Sequence, residues 1–147
     1  MKKHLTFILS FTFMMIFSQI ENIKNGERIT LRIHYGFLNA GYATLTANQV
    51  NYRNAPHYRV TGIGKSTGAV RAFFKVDDVY ESYINIATGL PSHYVRNVSE
   101  GGYKRYFETD FNHDNQTLVL TNKLDKTSKN FKTVKGIQDM ISAFYYL

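Results

Sequence analysis

Ser92-His-Tyr-Val-Arg-Asn-Val-Ser-Glu100-Gly101-Gly102-Tyr103-Lys-Arg-Tyr-Phe-Glu-Thr-Asp110 reads as two strands folded back on a glycine pair. Glycine supplies the left-handed backbone that a two-residue primed turn requires, so Gly101-Gly102 sets Glu100 opposite Tyr103. Residues that face one another across a ladder share a side of the sheet, and successive residues alternate sides. Val98 with Arg105, Arg96 with Phe107 and Tyr94 with Thr109 therefore fall on one face. His93 opposite Asp110 falls on the other.

The same alternation extends outward in both directions. Glu27 to Phe37, ERITLRIHYGF, sets Ile29, Leu31, Ile33, Tyr35 and Phe37 on one side and Arg28, Thr30, Arg32 and His34 on the other. That is the pattern of a half-buried strand. Leu38-Asn-Ala-Gly41 is expected to turn it into a second strand over Tyr42 to Val50, and a third runs near His57 to Ile63. Gly64 and Gly68 interrupt pairing, so Val70 to Phe74 is either a short helical turn or a loop. Val76 to Ile86, the turn Thr88-Gly-Leu-Pro91, the quoted hairpin, a turn over Asn112 to Gln116 and a strand over Thr117 to Leu124 complete the ladder.

From Gly136 to Leu147 the apolar period changes to three and four, through Ile137, Met140, Ile141, Phe144 and Tyr145, predicting an amphipathic helix about 18 Å long. The lysines at 123, 126, 129, 132 and 135 read as a solvated strand edge and loop. A sheet apolar on one face needs a cover, so the expected fold is mainly β: a curved antiparallel sheet, half-barrel-like, with the helix packed on its concave side.

The first residues carry a different signal. Lys2 and Lys3 precede an uncharged apolar run from Leu5 to Phe17 and the small residue Ser18. The run is too short for the ~20 apolar residues of a spanning helix and fits an export leader over residues 1–18, cleaved after Ser18, followed by a single domain over residues 19–147. The expected location is the periplasm or the medium, with no transmembrane segment after cleavage, and that excludes chemistry that depends on ATP or NAD. Loss of Lys2 and Lys3 lowers the formal charge from +7 to +5. Cysteine is absent, which excludes disulfides, thiolate metal sites and the lipid-acceptor cysteine of a lipoprotein.

Two motifs suggest chemistry. Arg59 to Ser66 ends in Gly-Lys-Ser like a phosphate-binding loop, but Arg59 stands where that loop needs its first glycine. Gly64-Lys-Ser66-Thr-Gly68 matches a nucleophile elbow formally, with His93 or His113 as base and Asp77, Asp78 or Asp110 as its orienter. An elbow needs a parallel sheet with crossover helices, whereas these strands are joined by hairpin turns. Asp77 and Glu81 share a strand face with Asp78 on the other, a poor carboxylate pair, and the scattered histidines offer no metal site. No cofactor and no nucleic acid is expected.

Gly26 to Leu45 with its Gly-x-x-x-Ala-Gly41 pattern, Phe73-Phe-Lys-Val-Asp77-Asp78-Val-Tyr-Glu81-Ser82, Leu90-Pro91, Ser99-Glu100-Gly101 and Gln138-Asp139-Met-Ile-Ser142-Ala-Phe-Tyr-Tyr146 together resemble the bacterial exported family called domain of unknown function 3108. The resemblance implies an exported, mostly antiparallel β protein of Gram-negative envelopes, with no assigned activity and no catalytic residues to carry over. Family members usually continue past this helix into further strands, so the chain is expected to be truncated at Leu147. The function expected is non-catalytic: binding of a lipid or other amphiphile, or of an envelope protein, in the hollow between sheet and helix, lined by Leu31, Ile33, Tyr35 and Phe107. A serine hydrolase using Ser66 and a purely structural interaction module are the alternatives.

Overall fold

The computed structural model of the chain describes residues 23–146; the leader expected over residues 1–18, with its expected cleavage after Ser18, lies outside the described residues. Eight antiparallel strands form one open sheet in strict chain order. They are β1 (Arg28–Tyr35), β2 (Leu38–Tyr52), β3 (Ala55–Ser66), β4 (Asp77–Asn85), β5 (Pro91–Glu100), β6 (Tyr103–Asn112), β7 (Thr117–Asn122) and β8 (Thr127–Lys132). Two short helices complete the fold: α1 (Gly68–Phe73) joins β3 to β4, and α2 (Met140–Tyr146) follows β8.

The β5–β6 register is the one the glycine pair dictates: Glu100 faces Tyr103, Arg96 faces Phe107 and His93 faces Asp110. Carried across the ladders, that parity sets Ile29, Leu31, Ile33, Leu45, Ala47, Val60, Tyr80, Ile84, Tyr94, Val98, Phe107 and Leu120 on one face. The helix α2 packs on this face at β4. Its Ile141 and Tyr145 join Ile23, Ala47, Val60 and Ile84 in the buried core, with Leu45, Tyr58, Tyr80 and Tyr94 packed around them. Gly62 has no side chain beneath Ile141, which lets the helix approach the sheet closely.

The structure departs from the sequence reading in four places. The first hairpin turns at Gly36-Phe37, where Gly36 adopts φ +59°, and not at Leu38 to Gly41. Gly41 is a strand residue pressed against the Lys65 carbonyl, so its lack of a side chain serves close approach and not a turn. A register shift between Ile33 and His34 ends the β1 alternation, and Phe37 lies in the turn, fully exposed. The final helix starts at Met140 and not at Gly136, because Asp139 caps it one residue earlier, and its seven described residues span about 10 Å. Finally, β8 was missed: its sequence TSKNFK has no apolar face and is exposed throughout, leaving no period-two signal.

Candidate functional site

The helix-bearing face is apolar along most of its width, yet α2 covers only its middle. Leu31 and Ile33 on β1 stay 49% and 51% exposed, and Phe131 on β8 stays 46% exposed. Open grooves result. One of about 190 Å³ runs beside α2 between Ala43, Leu45, Gly62, Tyr80, Met140 and Ile141. A second, about 290 Å³, shares Gly64 with it and reaches Ile33, Ala40, Val70 and Val76. A third, about 340 Å³, lies toward the last strands, between Phe107, Leu120 and Phe131, with Asn122, Thr127, Asp125 and Lys129 at its margin.

Of the residues expected to line a hollow, Leu31, Ile33 and Phe107 share this face, but they line no single groove: Ile33 opens into the second and Phe107 into the third. Tyr35 pairs with Leu38 beyond the register shift. Sequence reasoning passed over the cations of the same face. Arg96 and Arg105 flank Phe107 by register, and Lys129 faces Leu120. All three are exposed, and none forms an ion pair among the described residues. The signal of Arg96 and Arg105 was present in the parity of the quoted hairpin, whereas Lys129 sits on β8, which carried none.

The helix is anchored by a buried polar joint. Asp139 Oδ1 accepts the backbone N–H groups of Ile141 (2.8 Å) and Ser142 (2.9 Å), while the Ser142 hydroxyl accepts the Asp139 N–H (2.9 Å). This is a reciprocal cap, and it satisfies donors that the first helical turn leaves without partners. The other carboxylate oxygen accepts the hydroxyl of Ser82 on β4 at 2.7 Å. Burial pushes the Asp139 carboxyl above the usual carboxylate range, opposed by the hydrogen bonds from Ser82, Ser142 and Ile141. Burial likewise raises Tyr94 far above the ordinary phenol, and the nearby Asp139 adds to it.

Other quoted sequence elements meet at the end of the sheet that carries α1. The Ser66 hydroxyl accepts the Val76 N–H at 2.9 Å, and Ser66 is buried at the end of β3. Arg71 holds both oxygens of Asp77 at 3.0 and 2.9 Å, keeping that carboxyl below its usual range. Asp78 is buried and accepts the Ser99 N–H at 2.9 Å, and the Gly101 N–H reaches the Lys75 carbonyl at 2.7 Å.

The structure does not bring the hydrolase set together. Ser66 lies on the helix-bearing face, whereas His93 lies on the opposite one, where its Nδ1 meets Asp110 at 2.8 Å beside Arg53. His113 donates from Nε2 to the Pro91 carbonyl at 2.7 Å. Sequence reasoning missed a different pair: His57, buried, donates from Nδ1 to the Ala55 carbonyl (2.9 Å) and accepts the Ser92 hydroxyl at Nε2 (2.8 Å). Among the described residues no cluster of histidine and carboxylate groups is close enough to hold a metal ion, and no helix is long and apolar enough to cross a membrane.

No curated protein and no solved structure matches the chain. A family model described as protein of unknown function (DUF3108) matches residues 30–147, the whole of the sheet from the third residue of β1 onward together with both helices. The chain belongs to the DUF3108 family.

Proposed function

We propose that this is an exported, non-catalytic envelope protein that holds an anionic amphiphile against the helix-bearing face of its sheet. The observation that carries this reading is the incomplete cover: a seven-residue helix lies over the centre of a face whose flanks leave Leu31, Ile33 and Phe131 in solvent. Exposed apolar surface of this extent is a recurrent mark of a binding site. An acyl chain would lie along Phe107, Leu120 and Phe131, and its headgroup would meet Arg96, Arg105 or Lys129, cations with no carboxylate partner. Export rests on the leader: an extracytoplasmic protein of this composition meets lipids before it meets nucleotides.

Native mass spectrometry of protein recovered from its own envelope, followed by organic extraction, tests the reading. Stoichiometric lipid, weakened by Arg105→Glu combined with Lys129→Glu, is the expected result. A clean apo mass together with no thermal shift from fatty acids or phospholipids would refute it and favour an interaction module. Labelling by a fluorophosphonate that disappears in Ser66→Ala would favour a hydrolase instead.

A further inference from the structure

A meander of antiparallel strands sends alternate connections to opposite ends of the sheet. Residues 36–37, 67–76, 101–102 and 123–126 therefore lie at one end, and residues 53–54, 86–90 and 113–116 at the other. The two ends differ sharply. The first presents Phe37, fully exposed, Phe73 at 92% exposure, and the exposed Phe74 and Leu124, with Tyr103 at the rim. At the second end the hairpin connections carry none of the exposed large apolar side chains of the described residues, and the segment that leaves β8 carries one aliphatic residue, Val134.

These aromatic side chains do not dangle. The Thr67 N–H is bound to the Ala40 carbonyl (3.0 Å), Arg71 ties α1 to Val76 and Asp77, and the Gly101 N–H is bound to the Lys75 carbonyl. Phe74 packs beside Gly101. The fold thus holds Phe37 and Phe73 outward on a braced frame, with no core of their own to bury into. Along the same end lie the exposed cations Lys65, Lys75, Lys104 and Lys126, against the carboxylates Asp77, Glu100 and Asp125. Asp77 is already committed to Arg71 and Lys75.

The geometry points to this end of the sheet as a docking surface for an anionic phospholipid bilayer, with Phe37 and Phe73 inserted at the level of the headgroups and the lysines along the same end against phosphate. Outward aromatic side chains on a sheet end that also carries basic residues have the chemistry that partitions into a membrane interface, where neither the apolar insertion nor the electrostatic attraction suffices alone. The inference is independent of whether the grooves hold a ligand: a protein can dock without carrying lipid, and can carry lipid without docking by this end.

The absence of cysteine allows a clean test on the full chain. Phe73→Cys and, at the opposite end, Ala87→Cys are each labelled with an environment-sensitive fluorophore and mixed with vesicles of phosphatidylcholine, with and without phosphatidylglycerol. The expected result is a blue shift and quenching by doxyl-labelled lipid at position 73 but not at 87, on vesicles that contain phosphatidylglycerol. In the unlabelled chain, Phe37→Ser with Phe73→Ser should weaken vesicle partition on the order of a hundredfold. Both chains carry the same apolar leader, so the difference belongs to the sheet. A position-73 probe that stays aqueous on vesicle-bound protein, vesicle binding that survives the double substitution unchanged, or a blue shift already present without lipid, which would report self-association, overturns the proposal.

Discussion

Removing the carboxylate of Asp139 should cost the fold more than any other single polar change, and most of that cost should depend on Ser82. Asp139→Ala strips the cap from α2, worth about 0.5–2 kcal/mol. It also leaves the Ser82 hydroxyl, fully buried on β4, without a partner, at about 1–3 kcal/mol. The expected loss is about 2–4 kcal/mol, a large fraction of the ~5–15 kcal/mol that holds an ordinary domain together. Ser82→Ala alone leaves the caps intact and deprives a buried carboxylate of one donor, about 1–3 kcal/mol. In Ser82→Ala/Asp139→Ala no orphaned hydroxyl and no buried charge remain. The double variant should therefore fall short of the sum of the singles by about 1–2 kcal/mol. Urea unfolding followed by circular dichroism measures all four corners of the cycle. Strict additivity would mean that the 2.7 Å contact does not join helix to sheet energetically, and would refute the reasoning.

The same carboxylate sets a pH dependence of known sign. Its folded pKa lies above the 3.8 of the free group, so the folded state holds the proton longer than the unfolded chain, and stability falls as pH rises from about 3.8 through the raised value. Asp139→Asn keeps a cap of similar strength and removes that titration, so its stability relative to the native chain should rise over this window and then level off; a flat difference across pH 3–8 in thermal melts would refute the sign. Val60→Asp, at a position with no solvent exposure, should unfold the domain, whereas Leu31→Asp, half exposed on an edge strand, should change stability by no more than about 1 kcal/mol while reducing lipid binding; equal melting temperatures would contradict the burial of the sheet's centre.

Pattern was legible where a strand has two different faces. β5 and β6 could be registered residue by residue because the glycine pair defines the turn and the alternation does the rest. β8 could not be read at all, since an edge strand exposed on both sides needs no apolar residues, and its lysines look the same in a loop. The first turn was misplaced because two glycines five residues apart, Gly36 and Gly41, serve different ends: one adopts a left-handed backbone, the other makes room for a neighbouring strand. The helix was read four residues too early at its start, since periodicity continues through Ile137 while the cap at Asp139 ends the matter. In the candidate site, Leu31, Ile33 and Phe107 were placed on the correct face, but their exposure was not legible. How much of a face stays open depends on where a short helix comes to rest, and that is decided by one serine and one aspartate distant in sequence.

The order of the strands has a kinetic meaning. Every strand from β1 to β8 pairs only with its sequence neighbours, so no ladder waits for a distant part of the chain. Such a topology keeps loop-closure entropy small and can zip up hairpin by hairpin in the order the residues arrive. In that order α2 seats after the strands, when Asp139 reaches back across four strand pairings to Ser82 on β4, converting a growing ribbon into a domain with a core.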